Sequence, residues 1–214
     1  MQKKIVSINC SPRTGWNTDI LVSEAEKGAA ANGGEIERFD LYKLGPFTGC
    51  LSCFGCKTEK YQGKCVTNDA LSPVLESIQK ADGLIIGTPI YISEVTAGFR
   101  AFYERLAFQT ITYREDIHSY NNRKIPVVLI FTCNASKSAF AHAGYEKLLG
   151  KYSEEMGRFV GPTSVFVASE TMQVDNYEKW GWTRFDAKER EERRRNVFPV
   201  EMEEAYNLGF NVAG

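Results

Sequence analysis

The sequence predicts an α/β fold, a doubly wound parallel sheet of five strands, on three observations. Short apolar, β-branched runs alternate with segments whose apolar residues repeat at helical spacing, as strands covered on both faces by helices require. The runs are bounded by Gly, Pro, Asn or Asp, which end strands and open turns. The 214 residues fit one decorated domain better than two complete ones.

Lys4–Asn9 (KIVSIN) reads as the first, central strand. The helix after it places Leu21, Ala25, Gly28 and Ala29 on one face, with Asn17 or Thr18 as N-cap. Glu35–Tyr42 alternates as a second strand. Leu71, Val74, Leu75 and Ile78 mark a helix opened by Asp69 or by Ser72-Pro73. Gly83–Pro89 is a buried third strand stopped by its proline, and Val95, Phe99, Phe102 and Leu106 repeat at helical spacing. Ile125–Thr132 (IPVVLIFT) is the fourth strand, Leu148, Leu149, Tyr152 and Met156 form another helical face, and Ser164–Ala168 is the fifth strand. The expected order is 2-1-3-4-5, which places ligands beyond the carboxyl ends of the first and third strands. Two regions fall outside this plan. Residues 47–68 are a cysteine-rich insertion. Residues 171–214 read as a C-terminal extension making oligomer contacts, with an aromatic loop (Met172, Tyr177, Trp180, Trp182) and charged helices presenting solvated faces.

A formal net charge of −1 argues against a polyanion-binding surface. No apolar run approaches the ~20 residues that span a bilayer. Strand-like sequence begins within a few residues of Met1, leaving no room for a signal peptide. The expected compartment is the cytoplasm, where six cysteines stay reduced unless they hold a metal or do chemistry.

The loop Cys10–Thr18 offers hydroxyls from Ser11, Thr14 and Thr18, the Arg13 guanidinium and the N–H groups of a helix start, which together suit an anion. It has neither the G-x-G-x-x-G of dinucleotide sites nor the G-x-x-x-x-G-K-[ST] of triphosphate sites, so a mononucleotide phosphate fits it better. The same residues also serve ordinary strand-to-helix turns. Beyond the third strand, Tyr91 between Ile90 and Ile92 offers a flat apolar wall, although a packed aromatic at a strand stop reads the same way. Thr132-Cys133-Asn134-Ala135-Ser136 is small and polar, as close backbone approach requires.

Ser11-Pro12-Arg13 with Asn17-Thr18, then Pro89-Ile90-Tyr91 with Gly98-x-x-x-Phe102-x-x-Arg105, resembles the NAD(P)H-dependent FMN reductase family of flavodoxin-like proteins, in pattern most like the iron–sulfur flavoproteins. The resemblance implies a flavodoxin-like FMN-binding domain over residues 1–170. It implies non-covalent FMN, with Ser11, Arg13, Asn17 and Thr18 at the phosphate and Pro89, Ile90, Tyr91, Ile92 and Ser93 along the ring. Thr132, Cys133 and Asn134 would form a third loop, which departs from the glycine-rich version common in the family. The implied activity is hydride transfer from NAD(P)H to FMN and electron delivery to a quinone, free flavin or redox protein. It needs no side-chain nucleophile, nucleic acid or membrane. A homodimer or homotetramer is implied as well. The alternative function is an electron carrier passing single electrons between protein partners through a cluster and FMN. A third is a flavin-free protein with a zinc knuckle.

Cys50-x2-Cys53-x2-Cys56-x8-Cys65 is the second constellation. Three thiols at three-residue intervals with a fourth nearby suit a [4Fe–4S] cube, each iron taking one thiolate. Structural zinc more often pairs two separated C-x-x-C units, and a glycine-rich loop of unligated thiols is the remaining alternative. The last gap is shorter in the iron–sulfur flavoproteins. Cys10 and Cys133, at strand ends, read as small buried hydrophobes. His118 and His142, the only histidines, leave little material for a histidine metal site or a Ser-His-Asp triad and read as surface or packing residues, and Glu115 and Asp116 show no carboxylate partner at catalytic spacing.

Overall fold

The computed structural model describes residues 2–214. Its strands are β1 (Lys4–Asn9), β2 (Glu35–Asp40), β3 (Gly83–Tyr91), β4 (Glu94–Val95), β5 (Val127–Thr132) and β6 (Thr163–Ala168). Five run parallel in the order β2-β1-β3-β5-β6, which is the expected 2-1-3-4-5 arrangement, and the short β4 pairs antiparallel with the end of β3. The helices are α1 (Asn17–Ala31), α2 (Ser72–Lys80), α3 (Ala97–Thr110), α4 (Phe140–Ala143), α5 (Tyr145–Phe159), α6 (Ala187–Asn196) and α7 (Phe198–Val212). Alternation along the strands splits the core in two. Val6, Ile8, Leu84 and Ile86 face α2, α3 and α5, whereas Ile5, Ile85, Val128 and Ile130 face α1 and α7.

β3 does not stop at Pro89 but runs on to Tyr91. Gly87 offers its carbonyl to the Cys10 N–H on the β1 side (2.8 Å), and Pro89, two residues on, presents the same edge. β1 has ended there, so the missing proline N–H forfeits no ladder bond. The strand's last residues, Ile90 and Tyr91, pair instead with Val95 and Glu94. Val95 therefore belongs to β4, and α3 begins after Thr96, whose hydroxyl accepts from the Phe99 N–H at 3.2 Å. β2 ends at Asp40, because Leu41 turns inward to be buried in a short 3-10 turn. The N-cap of α1 is Trp16, not Asn17 or Thr18, and it makes no side-chain cap bond.

The C-terminal residues depart most from expectation. α6 carries an exposed charged face, but α7 closes the second face of the sheet. Phe198, Ala205 and Val212 are buried in one core with Leu21, Val22 and Ala25 of α1. Gly28 lies against the Tyr206 carbonyl and Gly209 against that of Ala25, so closely that a Cβ at either position would collide with backbone. Small residues let two helices touch along their main chains, and they carry little hydrophobic signal in the sequence. Among the described residues no helix is long and apolar enough to cross a membrane.

Candidate functional site

Three loops meet above the carboxyl ends of β1, β3 and β5 around a small open cleft of about 120 Å³. The first loop contributes Ser11, Arg13, Trp16, Asn17 and Thr18, the second Pro89, Ile90 and Tyr91, and the third Thr132, Cys133 and Asn134. The Asn9 amide oxygen accepts from the Ser11 N–H at 3.0 Å, and the Ser11 hydroxyl accepts from the Arg13 N–H at 3.2 Å, curling the first loop back on β1. The hydroxyls of Thr18 and Thr132 share a hydrogen bond of 2.8 Å, joining the first loop to the third. The Thr96 hydroxyl donates to the Cys10 carbonyl at 2.9 Å, joining the first to the second.

Ile92 and Ser93 are not brought into the cleft. They form the two-residue turn between β3 and β4, both with positive φ (52° and 57°), and Ile92 is fully exposed. That conformation suits Asn-Gly and is rare for a β-branched residue, so no sequence signal marks it.

Residues far along the chain complete the cleft. Thr171 and Gln173 line it. The Met172 carbonyl accepts from Trp16 Nε1 (3.2 Å) and Asn17 Nδ2 (2.8 Å), and the Gln173 carbonyl accepts from Arg13 Nη1 (2.6 Å). The Arg13 guanidinium also stacks on the Trp16 ring, 4.3 Å from its centroid. Burial pushes the Cys133 thiol up to about 11, so it is neutral at physiological pH and packs as a small hydrophobe. Burial likewise raises the Tyr91 phenol. Asn134 Oδ1 is buried with no donor among the described residues.

Cys50, Cys53, Cys56 and Cys65 line a second, smaller pocket with Phe54, Arg105 and Phe108. Left-handed backbone at Ser52 and Phe54 bends the loop around it. Arg105, 1 % exposed, donates from Nε to Cys65 Sγ (3.3 Å), from Nη1 to both Asp69 oxygens (2.6 and 2.7 Å) and from Nη2 to the Thr67 carbonyl (2.8 Å). Burial raises the Cys56 thiol, and Lys57 works against that rise. Among the described residues no three His, Cys, Asp or Glu side chains are gathered closely enough for a single metal ion. His118, His142, Glu115 and Asp116 are exposed and line neither pocket.

The profile of the NADPH-dependent FMN reductase family matches residues 3–172. An iron-sulfur flavoprotein of Methanocaldococcus jannaschii is 36% identical over 104 residues, 48% of this chain and 51% of that protein. One from Clostridioides difficile is 30% identical over 135 residues, 56% of this chain and 55% of that protein. The chain thus spans about half the length of the curated relatives it matches. Among solved structures, an NAD(P)H:quinone oxidoreductase from Methanothermobacter marburgensis superposes with a TM-score of 0.70 over 99% of this chain and 100% of its own, at 11% identity. An azoreductase from Bacillus anthracis gives 0.67 over 98% and 100%, at 14% identity. At such identities these two establish a shared fold.

Proposed function

This chain belongs to the NADPH-dependent FMN reductase family, and we propose that it is an FMN-dependent oxidoreductase working in the cleft above β1, β3 and β5. The observation that carries this reading is the convergence of an anion-ready loop, an apolar wall and a small polar loop at the switch point where doubly wound sheets bind ligands. Bound FMN would supply the redox chemistry, taking hydride from NAD(P)H and passing electrons to a quinone, free flavin or redox protein.

The residues present suit that group. Arg13 has no carboxylate partner among the described residues, and its guanidinium and the α1 N–H groups would hold the phosphate, with Ser11, Asn17 and Thr18 adding polar contacts. Tyr91, Pro89 and Ile90 would flank the ring, with the phenol kept protonated. The unpartnered Asn134 Oδ1 would accept from the ring's imide N–H. Thr132 and neutral Cys133 would close the third side. Anaerobic addition of NADH or NADPH to FMN-loaded protein should bleach the flavin bands. Bands that survive an excess of both nucleotides would overturn the reductase reading.

A second reading, an iron–sulfur flavoprotein carrying electrons between protein partners, is supported by the cysteine pocket. Its four thiols, Cys50, Cys53, Cys56 and Cys65, line one space. Three thiols at three-residue intervals with a fourth nearby suit a [4Fe–4S] cube, whose irons each take one thiolate, better than structural zinc, which more often pairs two separated C-x-x-C units. Arg105 and Lys57 would offset the cluster's negative charge. Anaerobically prepared protein should then contain roughly four irons per chain, and protein that stays iron-free after reconstitution would leave the reductase alone. Self-association through Met172–Trp182 and a reducing, cytoplasmic setting complete the proposal. Trp180 and Trp182 are exposed and lie side by side with their rings tilted by 36°, as apolar surface awaiting a second copy does.

A further inference from the structure

Arg194 lies outside the family-matched residues 3–172, yet it reaches the first loop of the cleft. Its Nη1 donates to Asn17 Oδ1 at 2.8 Å, and its guanidinium lies over the Phe198 ring, 3.9 Å from the centroid. A guanidinium can only donate and the Met172 carbonyl can only accept. The two partners therefore fix the Asn17 amide, Oδ1 toward Arg194 and Nδ2 toward Met172.

The charge is the unexplained part. Among the arginines of α6, Arg190 faces Glu170 at 3.5 Å and Arg193 pairs with Glu201. Arg195 is in solvent. Arg194 is partly buried and, among the described residues, has no carboxylate within ion-pair distance. Burial lowers its pKa, and Glu201 offsets this only at a distance. The carboxyl end of α6 supplies part of a counter-charge, but the amino end of α1 opposes it. Asp19, in the first turn of α1, is already engaged by Arg38, Asn9 and the Gly15 N–H. Two guanidiniums, Arg13 and Arg194, thus flank one helix start with only neutral partners. That arrangement is short of an anion.

We propose that Arg194 selects phosphorylated flavin over riboflavin, as a positioning and charge-supplying residue that acts on the phosphate through Asn17. The proposal rests on the reading of this cleft as an FMN site. The C-terminal helices would then do more than close the core, because they bring a second cation to a loop whose own sequence carries one.

The full chain, stripped of flavin, is titrated separately with FMN and with riboflavin by flavin fluorescence. Arg194→Gln keeps a donor for Asn17 but removes the charge. It should weaken FMN binding about tenfold, through the loss of one nearby positive charge, and leave riboflavin binding within about twofold. The salt dependence of FMN binding should flatten in the same variant. Arg194→Lys should recover part of the loss, and Arg195→Gln should change neither ligand. Thermal melts establish that each variant is folded. Equal losses for both flavins, or unchanged FMN affinity and salt dependence, would overturn the proposal while leaving the FMN site standing. A wild-type chain that binds no FMN would instead overturn the function itself.

Discussion

The cleft above β1, β3 and β5 and the cysteine pocket are held in place by different means. Backbone positions the cleft: β1, β3 and β5 each deliver a loop, and the pairings Asn9–Gly87 and Pro89–Thr132 set those loops relative to one another before any side chain acts. The cysteine loop has no strand and only two single turns of 3-10 helix, Gly55–Lys57 and Glu59–Tyr61. Side chains tie it to α3. Glu104 accepts from the Cys50 N–H (3.3 Å), Gln109 from the Cys65 N–H (3.1 Å), and Arg105 holds Cys65, Thr67 and Asp69 together. A site on strand ends survives the loss of one contact better than a loop tied to α3 and α2 by a few side chains.

Arg105→Ala should separate the two regions most sharply. It strips the partner from the largely buried Asp69 and opens a cavity beside Cys65, and breaking such a pair costs about 3–5 kcal/mol. Limited proteolysis within residues 47–68 should accelerate, while FMN affinity in the cleft changes less than about threefold. A matched loss of FMN binding would show that the two regions are one cooperative unit.

Arg13→Ala is the converse. Losing a charge-assisted contact worth ~1.5–3 kcal/mol should weaken FMN binding more than tenfold. Reaction of the four loop thiols with a maleimide should keep its wild-type rate. Unchanged FMN affinity would remove the phosphate from this loop.

The smallest effect lies behind the cleft, at Asp40. Burial raises its pKa, but Arg38, Asn9 and Lys43 outweigh burial and bring it down to about 2. Because the folded value is depressed, the stabilisation is complete above the ordinary carboxylate value near 4. It is lost as pH falls from about 4 toward 2, a matter of about 2 kcal/mol. Asn9 bonds both Asp40 (2.9 Å) and the Ser11 N–H (3.0 Å), so the first loop should loosen with it. Asp69, also depressed although burial opposes the shift, makes the cysteine loop acid-sensitive too. Urea melts across this pH range should show that Asp40→Asn flattens only part of the slope.

The same contrast governs what the sequence could disclose. The strands and their order were legible because buried parallel strands are continuous apolar runs, and the three cleft loops follow from that order. Pro89 misled because a proline stops a strand only where its missing N–H has a neighbour to serve. The α1–α7 contact was hidden because Ala25, Gly28, Ala205 and Gly209 signal small size, not hydrophobicity. Trp16 stood within a recognised loop, but its role depends on the Met172 carbonyl 156 residues away, as that of Arg13 depends on Gln173. The Ile92-Ser93 turn defied its own residue preferences. In the cysteine loop the spacing was plain, but nothing in the spacing of Gly98, Phe102 and Arg105 disclosed that Arg105 holds the loop.

The central claim, that the cleft is built for the single phosphate of FMN, is tested most directly by the flavin itself. Purified protein is saturated with a mixture of FMN, FAD and riboflavin, freed of excess by gel filtration and denatured, and the released flavin is identified by chromatography. FMN at about one per chain is the expected result. FAD or riboflavin in its place, or no retained flavin, would contradict the account.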